Sequence, residues 1–345
     1  MSYRGIISNS IMQKGRPGTA GSKILENFIS PINATVVELL EAANVEIIGT
    51  GETSEFGVAG LFNESIDVSI DVPTDDSLIN SIVSDKADFA LCNDYTGAIS
   101  RAAAEQGLYY IHPTYGAVSR YGLVPVVSSI DQIGIVCKVP RVGFDVLKII
   151  SKYDEKDGVM SPMCNAASDS IITKEQEGCH SVTDIRINEI EPMFAEVYTQ
   201  IMQIICCAEL SNNISRYDGV KFGYRANEYN GLQELYVKTR TEGFGADTKL
   251  AAIIGTMVLS HENYTRFYDK AMRLRRMIMD SMKFDTYDVV VGRGDNSGAF
   301  IMLSRLCGLP SVTTRDGTYI ANVGCEVMLQ GICTESYEGS KGESA

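Results

Sequence analysis

The chain has 345 residues, of which 45% are hydrophobic and 21% charged, and its net charge at pH 7 is −14. This length and balance are typical of a globular protein with a full core, and they exclude a disordered chain. The acidic balance argues against direct nucleic-acid binding, because such proteins neutralise phosphates with clustered Lys and Arg. The densest basic cluster, Arg273, Arg275 and Arg276, is interpreted as a solvated helix face.

The nine cysteines are scattered, odd in number and without a C-x-x-C pair. This pattern predicts reduced thiols and neither disulfides nor a zinc site, and the sequence suggests no other metal or cofactor. Residues 1–15 lack the apolar core of a signal peptide, and no apolar run approaches the ~20 residues of a membrane span. We therefore expect a cytoplasmic protein with no membrane contact.

In the first half of the chain, apolar periodicity alternates between strand and helix. It predicts strands at residues 4–7, 45–49, 88–92, 124–128 and 134–138, and helices at residues 35–43 and 75–84. Strands separated by helices of this length favour parallel pairing, with helices on both faces of a sheet.

The second half is richer in helix. Helices are predicted at residues 194–213, 232–241, 247–259 and 263–283, and strands at residues 287–292 and 309–314. Asp316-Gly317 indicates a tight hairpin after the last strand. We expect one domain over residues 1–332 with a linker-like excursion at 153–184, and a disordered tail at 333–345 because its composition turns polar.

Seven collinear stretches resemble the amidase-signature family, and within it the A-type subunits of the tRNA-dependent amidotransferases. The stretches are residues 19–25, 34–40, 113–134, 215–220, 240–245, 255–260 and 308–310. Their order and spacing agree with that family over most of residues 4–312. The resemblance implies an α/β fold with a large mixed, mostly parallel sheet that is covered by helices on both faces.

The resemblance also implies amide hydrolysis by a Ser–Ser–Lys triad. In that mechanism one serine attacks the amide carbonyl, a second serine relays the proton, a neutral lysine is the base, and backbone N–H groups stabilise the oxyanion. In the A-type subunits the amide is that of glutamine. The ammonia passes to the B-type partner, which amidates Glu-tRNA(Gln) or Asp-tRNA(Asn).

The triad positions carry other residues in this chain. The family lysine lies in a K-D-N run, which the neighbouring motifs place at Ser8-Asn9-Ser10. The bridging serine lies in P-G-G-S-S-G-G-S, which corresponds to residues 73–80; Ser77 holds the old position there, but the glycines are absent. A serine at position 8 has no amine to act as base.

The nucleophile position is also changed. The family motif D-T-G-G-S-I-R corresponds to residues 94–101, and counting back from Pro113 places Ala98 on the nucleophile, whereas anchoring on Thr96-Gly97 places Ile99 there. Ser100 is the nearest hydroxyl that could rescue the site. Two further positions differ: the family's paired arginines after E-G-F-G are absent, and His112 stands before Pro113 where the family has lysine.

Losing one member of a coupled triad costs on the order of a million-fold in turnover. We therefore expect no catalytic residues, and interpret Ser8, Ser77 and Ala98 as vestigial positions in a non-catalytic binding, regulatory or scaffold subunit. Expected partners are amidotransferase B- or C-like subunits, a genuine A-type subunit, or a second copy of the chain. Two alternatives stay open: a self-assembling structural protein, whose apolar stretch 321–330 exposes an edge or face, and a glutamine amidohydrolase with an unconventional site.

Overall fold

The structure is a computed structural model that describes residues 3–62, 76–160, 185–190 and 193–342. Within these ranges nine strands form one sheet in the order β2-β1-β3-β5-β4-β8-β9-β7-β6. The strands are β1 (Arg4–Ser8), β2 (Glu46–Gly51), β3 (Phe89–Asn93), β4 (Tyr109–His112), β5 (Ile133–Cys137), β6 (Ile187–Glu189), β7 (Val289–Gly292), β8 (Ser311–Thr314) and β9 (Gly317–Ala321).

Ten α-helices accompany the sheet in the described ranges. They are α1 (Thr35–Ala42), α2 (Asp76–Val83), α3 (Ala98–Glu105), α4 (Pro140–Ile150), α5 (Tyr198–Asn213), α6 (Leu232–Gly243), α7 (Ala246–Leu259), α8 (Lys270–Ser281), α9 (Ser297–Cys307) and α10 (Glu326–Gly342). A π-helical turn, Thr265–Asp269, precedes α8. Among these helices, none combines the length and the apolar character needed to cross a bilayer.

The sheet is covered on both faces because its buried strands carry apolar side chains on both sides. In β1, Ile7 faces a cluster that includes Val36 of α1 and Phe144 of α4. Its neighbour Ile6 faces the other way, toward a cluster that includes Leu78 of α2. A third cluster joins α5, α8 and α9 to β7 and β9. The predicted α/β class and helix-covered mixed sheet are confirmed.

The pairing directions differ in proportion from the expectation. In the described sheet β1–β2, β1–β3 and β6–β7 are parallel. The other five ladders, β3–β5, β4–β5, β4–β8, β7–β9 and β8–β9, are antiparallel. Antiparallel pairs outnumber parallel ones for two reasons. Strand β4, which the sequence analysis did not predict, pairs antiparallel with β5 and β8. Strands β8 and β9 form the expected hairpin, which is antiparallel by geometry.

The strand predicted at residues 124–128 is wrong. This segment is a loop whose amides are bound by a side chain: the backbone N–H groups of Val126 and Val127 each donate to Oδ2 of Asp131 over 2.9 Å. A carboxylate that binds successive amides satisfies the donors that a strand would pair in a ladder. The apolar run is buried here without being a strand.

The C-terminal expectations also need correction. Residues 333–342, predicted to be a disordered tail, continue α10, because this helix buries Met328, Leu329 and Cys333 against α4 and the sheet. Most of the stretch 321–330, expected to expose an apolar edge or face, is covered: Ala321 and Leu329 are fully buried, whereas Val323 is 44% exposed.

The start of the predicted linker excursion, residues 153–160, is packed against the fold. The carboxylate of Asp157 forms an ion pair with the guanidinium of Arg120 at 3.0 Å, and Asp154 accepts a hydrogen bond from Ser119 at 2.7 Å. The rest of the excursion, residues 161–184, lies outside the described residues, as do residues 73–75 at the start of the stretch matched to the bridging-serine motif.

Candidate functional site

Two adjacent parallel strands bring the predicted site segments together. β1 ends at Ser8 and β3 ends at Asn93, and their register is Ile7 opposite Leu91. β2 flanks β1 on its other side, with Gly51 opposite Ser8. Because parallel strands end at the same sheet edge, the residues after β1, β2 and β3 share one neighbourhood, as in other α/β proteins.

The hydroxyls after β1 bond to each other. The Oγ atoms of Ser8 and Ser10 are 2.7 Å apart, and the backbone N–H of Ser10 donates to Ser8 Oγ over 3.1 Å. Asn9 accepts a hydrogen bond from Thr53 at 2.9 Å and donates to Thr19 at 3.1 Å. All three residues of the Ser8–Ser10 run are buried, so this segment is a closed network of neutral groups.

A very small cavity of about 10 Å³ lies at this edge, roughly the space for one water molecule. Its lining consists of Ser10, Thr53, Phe56, Gly57, Asn93, Asp94, Thr96, Ile99 and Val126. In the described part of the chain, Asp94 is the one ionisable side chain on this wall. As the described residues form it, this cavity offers neither an amine base nor room for an amide substrate.

The predicted Ser77 and Ala98 positions do not contribute to that lining. Ser77 lies on α2, where its hydroxyl donates to the carbonyl oxygen of Glu52 over 3.2 Å. Ala98 is the first residue of α3 and carries only a methyl group. The structure thus places both at the expected edge, but it brings neither into the cavity.

Ser100, the candidate rescuer, is fully buried. Its hydroxyl donates to Oδ2 of Asp94, and its backbone N–H donates to the same oxygen over 2.9 Å. The N–H of Ile99 donates to Asp94 Oδ1 at 3.1 Å, and that of Ala98 contacts Thr96 Oγ1 at 3.4 Å. These three amides at the start of α3 are therefore already engaged, whereas an oxyanion site requires free donors.

Two features at this edge were missed by reasoning from the sequence. One is Glu55, which accepts hydrogen bonds from Ser22 at 2.6 Å and from the Gly245 N–H at 2.8 Å, joining two of the family-like stretches. The other is Arg305, which reaches Asp94 from α9 with 1% of its surface exposed. An arginine within the apolar run of residues 300–307 was the available signal for the second.

His112, which stands where the family has lysine, is buried at the end of β4. Burial, together with the nearby positive charge of Arg305, holds the pKa of His112 well below its ordinary value, so the imidazole is neutral at pH 7. Its Nδ1 atom has no hydrogen-bond partner among the described residues. Across the same ranges, no three His, Cys, Asp or Glu side chains cluster in a way that would bind a metal ion.

Comparison with known proteins agrees with the fold and with the retained stretches. The chain matches the family model Amidase over residues 7–183 and 165–292. It is 34% identical to the A-type subunit of the glutamyl-tRNA(Gln) amidotransferase of Lachnoclostridium phytofermentans, covering 83% of this chain and 66% of that protein. It is 32% identical to the protein of the same name from Thermoanaerobacter pseudethanolicus, covering 86% of this chain and 68% of that protein. This chain belongs to the amidase family.

Solved structures show the same fold at lower identity. The A-type subunit of the glutamyl-tRNA(Gln) amidotransferase from Thermotoga maritima superposes with a TM-score of 0.62 at 23% identity, covering 96% of this chain and 82% of that chain. A protein from a vestigial complex related to an s-triazine catabolic enzyme gives 0.74 at 16% identity, covering 98% and 84%. The chain spans about two thirds of the length of the curated relatives.

Proposed function

We propose that this chain is a non-catalytic member of the amidase family that acts by binding other proteins. The observation that carries the proposal is at the start of α3, where the motif places the nucleophile on Ala98, a residue with no side-chain oxygen. The nearest hydroxyl, on Ser100, is fully buried and bonded to Asp94. A hydroxyl held in this way cannot approach a substrate carbonyl.

The position of the base supports the same proposal. The motif places the family lysine on Ser8, whose hydroxyl is hydrogen-bonded to that of Ser10 at 2.7 Å. A neutral hydroxyl cannot take up the proton that an activated serine releases, because it lacks a basic lone pair near pH 7. Changes at two coupled triad positions are expected to cost about as much as one, on the order of a million-fold in turnover.

The biochemical test is ammonia release from glutamine by the purified chain. We expect no release above the uncatalysed rate. Ser77→Ala and Ser100→Ala are the diagnostic variants, and Ser81→Ala is the matched control, because its hydroxyl bonds only its own helix, to the carbonyl of Ser77. Hydrolysis that either diagnostic variant abolishes, and that the control retains, would overturn the proposal in favour of an amidase with an unconventional site.

The partner is proposed from the relatives' names. Since those relatives are A-type subunits of an amidotransferase, the proposed partners are B- or C-type subunits of such an enzyme, or a genuine A-type subunit. The test is affinity isolation of the tagged chain from its own cell, followed by mass determination of the intact complex. Recovery with such subunits is the expected result.

Self-assembly is the second candidate, and α7 favours it. Ile253 and Met257 lie one turn apart on this helix with 69% and 49% of their surfaces exposed, on the side that faces away from α5. Adjacent exposed apolar side chains are typical of interaction surfaces. If the chain is isolated alone as a defined multiple of its own mass, and Ile253→Glu reduces it to a monomer, self-assembly replaces the first candidate.

A further inference from the structure

Arg305 is a buried cation inserted from α9 into the turn between β3 and α3. Its Nε donates to the backbone carbonyl of Asp94 over 2.9 Å, and its Nη2 lies 2.7 Å from the hydroxyl of Ser100 and 3.5 Å from Asp94 Oδ2. Its Nη1 donates to Ser304 Oγ at 3.1 Å. The guanidinium also lies over the ring of Tyr110, 5.2 Å from its centroid. A charge this deep is tolerated only with such partners.

Asp94 is the anion that needs this cation. Its side chain is 1% exposed, and it accepts the N–H groups of Ile99 and Ser100 at the start of α3. A buried carboxylate that loses its counter-ion is strongly destabilising, because burial removes the solvent that would otherwise stabilise the charge. Within the described ranges, Arg305 is the residue that forms an ion pair with Asp94.

The family-like motif places that cation elsewhere. When D-T-G-G-S-I-R is aligned so that its serine falls on Ala98, its arginine falls on Ser100. The family has a second cation, a lysine, directly before P-T-Y-G. In this chain that position is His112, and its imidazole is uncharged at pH 7. In this register both positions are neutral. In the other register, anchored on Thr96-Gly97, the arginine falls on Arg101, whose guanidinium lies beside Gly60. Among the described residues, the cation that pairs with Asp94 comes from α9, 211 residues later.

We propose that Arg305 is a positioning residue that has taken over, from position 100, the neutralisation of Asp94 and the fixing of the Asp94–Gly97 turn. The side chains fit this exchange: the short Ser100 leaves the space into which the guanidinium of Arg305 extends, and its hydroxyl becomes a hydrogen-bond partner of that guanidinium. The exchange ties α9 to the turn between β3 and α3 through a charge pair, whereas in the family motif both charges lie within that turn and the helix that follows it. The inference holds whether or not the chain hydrolyses amides.

The test is a second-site rescue, read as the midpoint of thermal unfolding of the full chain. Arg305→Leu leaves Asp94 without a cation and is expected to lower the midpoint by more than about 5 °C. Ser100→Arg on that background returns a guanidinium to the family position, and is expected to recover at least half of the loss. Ser100→Arg alone is expected to lower the midpoint, because two guanidinium groups would then crowd the same pocket.

Arg275 provides the matched control, because it is also partly buried and contacts α9 through the carbonyl of Leu306, but its other bonds go to Ser129, including the carbonyl at 2.9 Å, and not to Asp94. Ser100→Arg is expected to give no recovery on an Arg275→Leu background. If Arg305→Leu is insoluble, recovery of soluble Ser100→Arg/Arg305→Leu protein is the readout. An Arg305→Leu protein as stable as the parent, or a double variant no more stable or soluble than Arg305→Leu, would overturn the inference.

Discussion

Ile301 of α9 lies directly over Gly97: a Cβ built on this glycine would stand 2.4 Å from the Cγ2 atom of Ile301. Gly97 has a φ of +79°, in the left-handed region that disfavours other residues. The contact places the same helix that supplies Arg305 against the turn between β3 and α3. The close packing of α9 and the positive φ both require glycine at position 97.

Gly97→Ala is therefore expected to lower the free energy of unfolding by at least about 2 kcal/mol, since it combines backbone strain with overpacking against Ile301. Gly107→Ala is the matched control: its φ is +72°, and an added Cβ would meet nothing within 4 Å. We expect the control to lose only about 1 kcal/mol from strain. Urea unfolding measures both, and equal losses would show that Ile301 does not constrain position 97.

Glu55 joins residues 19–25 to the start of α7, and its removal is expected to loosen both. In Glu55, Oε1 accepts from Ser22, and Oε2 accepts from Gly245 N–H and from Thr248. Glu55→Gln exchanges one of these oxygens for an NH₂ group, which cannot accept, so the contacts on that side are lost. We expect a loss of about 1–3 kcal/mol in the free energy of unfolding. Glu52→Gln, at an exposed position nearby, is the control and is expected to change little. If Glu55→Gln lowers the free energy of unfolding as little as the control does, Glu55 does not join these two segments in the way proposed.

Asp157 is expected to make stability depend on pH at the acid end. Burial raises the pKa of the Asp157 carboxyl, but the hydrogen bonds from the Arg120 side chain and backbone outweigh burial and hold that pKa below its ordinary value. The unfolded chain therefore takes up the proton first as the pH falls. The resulting stabilisation is fully present above about pH 4, the ordinary range of an aspartate, and is lost as the pH drops further.

Asp157→Asn is accordingly expected to be less stable than the parent at pH 7 by about 2–3 kcal/mol, with a gap that narrows below pH 4. Urea unfolding at several pH values checks this. Asp85→Asn, which removes an ion pair with Lys138 at 2.8 Å whose carboxylate is 73% exposed, is the control and is expected to have little effect. A gap that stays constant with pH would show that the ionisation of Asp157 does not contribute.

The thiols of the described cysteines are expected to be unreactive in the native protein. All seven are buried, and burial raises the pKa of the Cys137 thiol to about 12. The other two, Cys164 and Cys179, lie in the stretch 161–184 outside the described residues. Titration with a thiol reagent at pH 8 is expected to label at most two sites before unfolding and all nine afterwards.

A Cys164→Ser/Cys179→Ser variant tests the location of any fast thiols. This variant is expected to show no labelling in the native state. Rapid labelling of a third site, or any labelling that persists in the double variant, would show that part of the core opens readily. The experiment thus measures the integrity of the core as well as the state of the thiols.

The sequence predicted most elements, and the reason is periodicity. Helices such as α5 and strands such as β7 carry apolar side chains at the spacing that their geometry requires, so their existence could be predicted without the fold. The segment 124–128 shows where this reasoning fails: its apolar residues are buried, but its amides are bound by Asp131, which periodicity cannot show. The helical course of residues 333–342 was missed because their composition is polar, while the buried apolar side chains of α10, Met328, Leu329 and Cys333, lie in the first half of the helix.

At the candidate site, too, some features follow from the sequence and others only from the tertiary structure. Residue identity alone establishes that Ala98 has no hydroxyl and Ser8 no amine, and collinear motifs alone point to the amidase family. Only the tertiary structure shows that Ser100 is fully buried beside Asp94 and that the cavity, at about 10 Å³, has room for about one water molecule. The pairing of Asp94 with Arg305 joins residues 211 positions apart, and no local pattern specifies a contact whose partners meet only when the sheet and α9 have packed together.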